Sequence, residues 1–147
     1  MDYIEAISVK AQSQIKTVED YLDYEMFENE KWIRDTVRSN WKLGIRPDTN
    51  DIIGLYRSES YANEKYNQNS SAGFGNVDLT LTGALGKGIV ISGFNKEYEV
   101  FSTDSKYNDI VEKYGDWNFN ITEEQKTELF NRIQLVVLTK MINRTYE

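Results

Sequence analysis

Basic side chains form the most regular candidate site in the chain. Arg34, Arg38 and Lys42 follow one another at intervals of four residues, and Arg46 continues that spacing. Residues four apart lie on one face of a helix, so the row predicts a basic stripe that would face an acidic partner or DNA. The favoured alternative is a solvated helix face whose charge is balanced by Glu30, one step earlier in the same row.

Three other patterns each lack part of the chemistry they suggest. Asp116, Asn118 and Asn120 begin like an EF-hand calcium loop, but Ile121 stands where the sharp turn requires glycine. We therefore predict a turn leading into a helix there. Residues 83–88 are superficially similar to a phosphate loop without having its glycine spacing. Acidic pairs are numerous, and no spacing singles one out for glycoside or phosphoryl chemistry.

Composition narrows the chemistry that any site can perform. The 147 residues include no cysteine and no histidine. This excludes the common zinc sites, cysteine-ligated iron–sulfur clusters, disulfides, and Ser-His-Asp or Cys-His triads. Catalysis would depend on carboxylates, lysine, tyrosine or serine alone. We therefore predict no catalytic site, no metal and no cofactor.

Charge and aromatic content indicate the kind of partner. The net charge is −7, which predicts repulsion from nucleic acid and anionic membranes. No apolar run approaches the roughly 18 residues of a membrane helix, and the chain does not begin with a basic and then apolar leader, so we expect synthesis in the cytosol and no membrane partner. Ten Tyr, six Phe and three Trp suit either a core of large side chains or a subunit of an assembly.

The chain begins and ends with helical patterns. One apolar stripe predicts a first helix that breaks near Phe27 and Asn29, and Asn29 is predicted to cap a second helix that stops at Gly44. Near the C-terminus we predict a short helix over residues 105–114 and a long one that begins with a capping box at Thr122 and Gln125; a strand over residues 135–138 is the minority alternative. The stripe of the first helix consists of Ile4, Ile7, Ala11, Ile15, Val18, Leu22 and Met26.

The sequence pattern in the middle of the chain predicts mainly short strands and turns. Alternation over residues 77–82 predicts a half-buried strand, and residues 88–94 and 98–102 predict a hairpin. A short helix is predicted over residues 58–66, followed by a loop over residues 67–76.

These elements together predict an α+β fold. It has N-terminal helices, a small antiparallel β-sheet with hairpins from about residue 44 to 102, and a C-terminal helix packed on the sheet. We expect a single domain over residues 1–147, with a helical arm over 1–43, a mainly β region over 44–104 and a mainly helical region over 105–147.

Five segments follow one another in the middle of the chain. They are Asn40-Trp-Lys-Leu-Gly-Ile45, Ile53-Gly-Leu-Tyr-Arg-Ser58, Asn76-Val-Asp-Leu-Thr-Leu-Thr-Gly83-Ala-Leu85, Ser102-Thr-Asp-Ser-Lys106 and Lys113-Tyr-Gly115. As an ordered series they resemble small virion proteins of tailed bacteriophages, of the head-tail connector or tail-completion (neck) type. The resemblance covers roughly residues 40–134. In such proteins a Leu-Thr-Gly segment precedes the hairpin, and members often carry two basic residues after it, where this chain has Gly86 and a single Lys87.

The resemblance implies a structural subunit rather than an enzyme. Such a subunit forms a homo-oligomeric ring in the virion neck between portal and tail, is assembled in the bacterial cytoplasm, contacts portal, adaptor or tail proteins, and meets DNA only as it passes through the ring. The alternatives are a soluble module that binds a host or phage protein through its acidic face, and a carboxylate-dependent enzyme. The expected interface residues are Arg34, Arg38, Lys42, Tyr56, Arg57, Thr82, Gly83, Leu85 and Lys87.

Overall fold

The predicted α+β class is confirmed. The structure, a computed structural model, describes residues 3–80, 83–94 and 97–145. Short 3-10 helices lie at Ser70–Ala72 and Asp116–Phe119. The α-helices and strands in chain order are α1 (Tyr3–Glu28), α2 (Glu30–Leu43), α3 (Glu59–Gln68), α4 (Ala84–Lys87), β1 (Ile89–Phe94), β2 (Glu97–Ser102), α5 (Tyr107–Tyr114) and α6 (Glu123–Thr145).

The junction between α1 and α2 lies where the sequence predicts it, and Asn29 occupies the predicted N-cap position of α2; only its side chain acts differently from a cap. Its side-chain amide and its backbone N–H both donate backwards to the carbonyl of Glu25. Asn29 therefore closes α1, and its side chain does not cap α2. Helix α2 ends as predicted at Gly44, whose φ of +67° is left-handed. A Cβ at Gly44 would lie 2.8 Å from the carbonyl oxygen of Val77, so the position requires glycine.

The sheet is one antiparallel hairpin, in which Ile89 pairs with Ser102 and Phe94 with Glu97. It is smaller than predicted. Helix α3 confirms the short helix predicted over residues 58–66, and α4 forms without having been predicted. The strand predicted over 77–82 is wrong for its described residues 77–80. Asp78 is buried like its neighbour Val77, so the alternation does not separate an inner from an outer face.

The core lies between α2, β1 and α6, so the C-terminal helix and the sheet share one apolar cluster. Trp41 is at its centre, donates from Nε1 to the carbonyl of Asn118 at 2.7 Å, and meets the edge of Phe119. The capping box is confirmed, because Thr122 and Gln125 exchange hydrogen bonds at 2.9 and 3.2 Å, and residues 135–138 are helical. The buried apolar cluster comprises Ile33, Val37, Trp41, Leu85, Ile89, Ile91, Phe119, Ile121, Leu129, Ile133 and Val137.

Candidate interaction surfaces

Four of the predicted interface residues, Tyr56, Arg57, Gly83 and Leu85, line a cleft together with Asp78, a buried carboxylate that ties several segments together. Its Oδ1 accepts from Lys65 Nζ at 2.5 Å, and the two side chains are only 1% and 3% exposed. Its Oδ2 accepts from the amide of Asn69 at 3.0 Å, and its Oδ1 also accepts from the hydroxyl of Thr80 at 2.9 Å. Burial raises the pKa of Asp78, but these donors outweigh burial and hold that pKa below its ordinary value. The carboxylate therefore stays charged.

Tyr56 joins the same network through the backbone. Its hydroxyl donates to the carbonyl of Asp78 at 3.1 Å and accepts from the N–H of Asp78 at 3.2 Å. Burial, with the nearby negative charge of Asp78 as a smaller cause, raises the pKa of Tyr56 to about 12. The phenol is therefore neutral at physiological pH, and it occupies the backbone groups that a strand would use for sheet pairing.

A cleft of about 760 Å³ opens beside this network, and we call it the cation cleft. Its cationic walls are Arg57, Lys106 and Lys113, all exposed and without an ion-pair partner in the described part of the chain. With Lys65 and the two lining carboxylates, Asp78 and Asp109, the cleft has a net charge of +2 on a chain of net charge −7. Three tyrosines and exposed Leu55 complete a lining that is both cationic and aromatic.

A second cleft, of about 550 Å³, shares Leu79 and Gly83 with the first. Arg38 and Lys42 line it. The side chain of Arg38 lies across Gly86 so closely that a Cβ at Gly86 would come within 3.1 Å of two Arg38 atoms. The glycine between Leu85 and Lys87 therefore makes room for an arginine of α2.

The basic row is balanced in part by local carboxylates, and Arg46 lies beyond the end of α2 at Leu43, so it does not continue the row on the helix. Arg34 pairs with Glu30 and also donates to the carbonyl of Ile89 at 3.0 Å. Arg38 lies 3.8 Å from Asp35. Arg46 pairs with Asp48 and stacks over the ring of Trp117. The charge of Arg46 is therefore already engaged within the fold.

The structure brings most of the predicted interface residues together. Tyr56, Arg57, Gly83 and Leu85 line the cation cleft, and Arg38, Lys42 and Gly83 line the second cleft. Lys87 is exposed at the end of α4. Arg34 lies apart, in its own ion pair and hydrogen bond, and Thr82 lies outside the described residues. Sequence reasoning missed Lys106 and Lys113, because the fold carries them to Arg57 from about fifty residues away.

A second interaction surface is the N-terminal half of α1. Val18, Leu22 and Met26 of its apolar stripe pack against the core, and the hydrogen bond from Arg144 to Thr17 joins the end of α6 to α1. Residues 4–16 are all exposed, a length of roughly 20 Å at about 1.5 Å per residue. We call these residues the projecting segment.

The projecting segment exposes large apolar side chains on the same stripe that is buried further along the helix. Ile4 is 73% exposed and Ile15 is 58% exposed. A helix of about a dozen residues is marginally stable alone in water, and tertiary packing of its apolar face normally supplies the missing stability. The projecting segment therefore has the exposed apolar stripe that is typical of a helix that packs against another surface.

The second half of α1 carries a different exposed face, formed by Asp20, Tyr24, Phe27 and Glu28, which we call the acidic–aromatic face. The spacing of four and three residues from Asp20 to Phe27 places them together, opposite the buried stripe. Other acids of this block are engaged within the fold: Glu25 pairs with Lys140 at 2.5 Å, and Glu30 with Arg34.

The segment that begins like an EF-hand serves the fold. Asn118 is buried, and its amide donates to the carbonyls of Tyr114 and Gly115 at 2.9 and 3.0 Å. Within residues 3–80, 83–94 and 97–145, no cluster of three or more acidic side chains is arranged to hold a metal ion. In the same residues, no helix has the length and apolar character needed to cross a membrane.

The chain was compared with protein families, curated proteins and solved structures. The chain matches no protein-family model, and neither a curated protein nor a solved structure is significantly similar to it.

Proposed function

We propose that the protein is a structural virion subunit of a tailed bacteriophage, forming a ring in the neck between portal and tail as a head-tail connector or tail-completion protein. Its role is mechanical rather than catalytic. The hairpin and the segment around α4 pack on neighbouring copies, and the projecting segment reaches a protein of the adjacent layer. DNA passes through the ring without being gripped.

The projecting segment is the observation that carries this proposal. The helix extends away from the core with Ile4, Ile7 and Ile15 exposed. An apolar stripe of this kind favours association with another protein surface. The resemblance of residues 40–134 to neck proteins supplies the kind of assembly. Two separate surfaces, the projecting segment and the clefts, suit a heterologous ring that also contacts another layer.

The first experiment tests whether the projecting segment binds the adjacent layer. The full chain is mixed with the portal of the same phage, and complex formation is followed by size-exclusion chromatography with light scattering. We expect the wild type to bind and the Ile7→Lys/Ile15→Lys variant to lose binding, since two charges would interrupt the apolar stripe. Because both side chains are exposed in the fold, circular dichroism should remain that of the wild type.

The matched control places the same two charges on the opposite face of the same segment. Ala6 and Ser13 are exposed there, and the Ala6→Lys/Ser13→Lys variant should bind the portal like the wild type. Equal loss in both variants would show a general charge effect and contradict the assignment of the apolar stripe. A strictly monomeric wild type that binds neither portal nor tail assemblies would overturn the proposed function.

A further inference from the structure

We propose that the cation cleft receives the acidic–aromatic face of a second copy of this chain, so that successive subunits of the ring join head to tail. This inference rests on the proposed function and deepens it, because it names the two surfaces that form the contact. One surface belongs to the clefts around α4 and the other to α1, so the contact is heterologous and each subunit offers one of each.

The cleft side of the contact is cationic and partly apolar. Lys106 begins and Lys113 ends the α5 wall, and Arg57 faces them from the chain before α3. None of these three cations has an ion-pair partner within the described fold, although Lys113 lies over the ring of its neighbour Tyr114, 5.0 Å from the ring centroid. Among the other lining residues, Leu55 is 67% exposed and Tyr61 is exposed. A cavity that combines unpaired cations with exposed tyrosine and leucine suits a protein surface that offers carboxylates beside large apolar groups.

The floor of the cleft is rigid enough to hold such a surface. Lys65 and Asp78 are paired and buried, and Asn69 joins them to the end of α2 by donating to the carbonyl of Lys42 at 2.8 Å. The charge of Asp78 is therefore balanced by Lys65. The exposed cations of the cleft, Arg57, Lys106 and Lys113, are not needed to balance Asp78 and can bind a partner. Preorganised walls lower the entropic cost of binding.

The acidic–aromatic face has the complementary chemistry. Asp20 and Glu28 are exposed and have no ion-pair partner in the described ranges. Tyr24 and Phe27 are 54% and 43% exposed between them. Lys140 lies over the ring of Tyr24 at 4.5 Å, but its charge is paired with Glu25. Unpaired carboxylates therefore flank two aromatic rings on this face, and cations flank aromatic rings in the cleft. The chain thus carries both halves of an electrostatically matched contact, which favours a second copy over nucleic acid, whose phosphates the net charge of −7 repels.

Charge reversal tests this contact in the full chain. We expect Lys106→Glu/Lys113→Glu to weaken self-association by roughly tenfold or more, as measured by sedimentation velocity, and Asp20→Lys/Glu28→Lys to do the same. Mixing the two reversed variants in equal amounts should restore association between unlike variants, because the reversed cleft of one then meets the reversed face of the other. Association of the wild type should also weaken as salt is raised.

The matched control reverses two other exposed basic side chains. Lys126 and Arg132 lie on α6, outside both proposed surfaces, and Lys126→Glu/Arg132→Glu should leave self-association unchanged. All variants should retain the circular dichroism spectrum of the wild type, since each substituted side chain is exposed.

The outcomes separate this inference from the proposed function. Normal self-association of both reversed variants, or a loss of association that mixing the unlike variants does not reverse, would overturn the inference while the ring itself stands. A cleft variant that assembles normally but loses affinity for duplex DNA would assign the cleft to nucleic acid and also overturn it. A monomeric wild type that is absent from virions would overturn the proposed function and the inference together.

Discussion

The buried pair of Lys65 and Asp78 supports the sharpest stability prediction. In Lys65→Met the side chain keeps its length but loses its charge, so the carboxylate of Asp78, 1% exposed, remains without its cation. Breaking a buried ion pair by removing one partner costs about 3–5 kcal/mol. Solvent does not screen this pair, and the loss is a large part of the roughly 5–15 kcal/mol that stabilises a typical domain.

Urea unfolding followed by tryptophan fluorescence measures this loss, because Trp41 is buried in the core. With a slope near 2 kcal/mol per molar, the urea midpoint of Lys65→Met should fall by roughly 2 M at pH 7. The exposed pair of Lys126 and Glu123 provides the control: Lys126→Met should change the stability by less than about 1 kcal/mol.

The pH dependence gives the result that would refute the reasoning. In the wild type the pKa of Asp78 is lowered, so the pair contributes stability above the ordinary carboxyl pKa, and that stability is lost as pH falls through the folded-state pKa. In Lys65→Met, burial without the cation should raise that pKa, and the deficit should shrink as pH falls from 7 towards 4. A deficit below about 1 kcal/mol that is independent of pH would contradict a charged, buried Asp78.

Two further substitutions test how the fold positions the clefts. Gly44→Ala should lower the free energy of unfolding by about 1 kcal/mol or more, since its φ is +67° and a Cβ would meet the carbonyl oxygen of Val77; thermal unfolding measures it, and an unchanged Tm would contradict the close approach. Gln125→Ala should cost about 2–3 kcal/mol in urea unfolding, because the buried amide of Asn40 loses both of its hydrogen bonds to Gln125; an effect no larger than that of Gln14→Ala, an exposed position, would contradict it.

Much of the fold can be predicted because its signals are local. The apolar stripe of α1, the glycine at the end of α2, and the capping box before α6 each depend on residues within a few positions of one another. The hairpin has the same advantage, since its strands are separated by a short turn. These predictions are confirmed within the described residues.

The wrong predictions arise where contacts between residues that are distant in sequence determine the local structure. Residues 77–80 alternate like a strand, but Asp78 is buried by Lys65, thirteen positions earlier, and its backbone is engaged by Tyr56. Nothing near Asp78 in sequence indicates either partner. Asn29 is a good helix cap by type, yet its amide donates backwards to Glu25, a choice that residue type alone does not determine.

Some features of the candidate surfaces can be predicted from the sequence, and others depend on the fold. The basic row is visible in the sequence, and so is Glu30, which pairs with Arg34. The cation cleft depends on α5 approaching Arg57 across the fold, so no spacing indicates it. The stripe of α1 is also visible, but only the position where α6 meets α1, near Thr17, shows which part remains uncovered.

Quantitative mass spectrometry of purified virions tests the central claim most directly, since a neck subunit must be part of the particle. The proposed function predicts that this chain is present at a fixed number of copies per portal ring, and that it remains with the neck when heads and tails are separated. A chain that is abundant in the infected-cell lysate but absent from purified virions would contradict the claim.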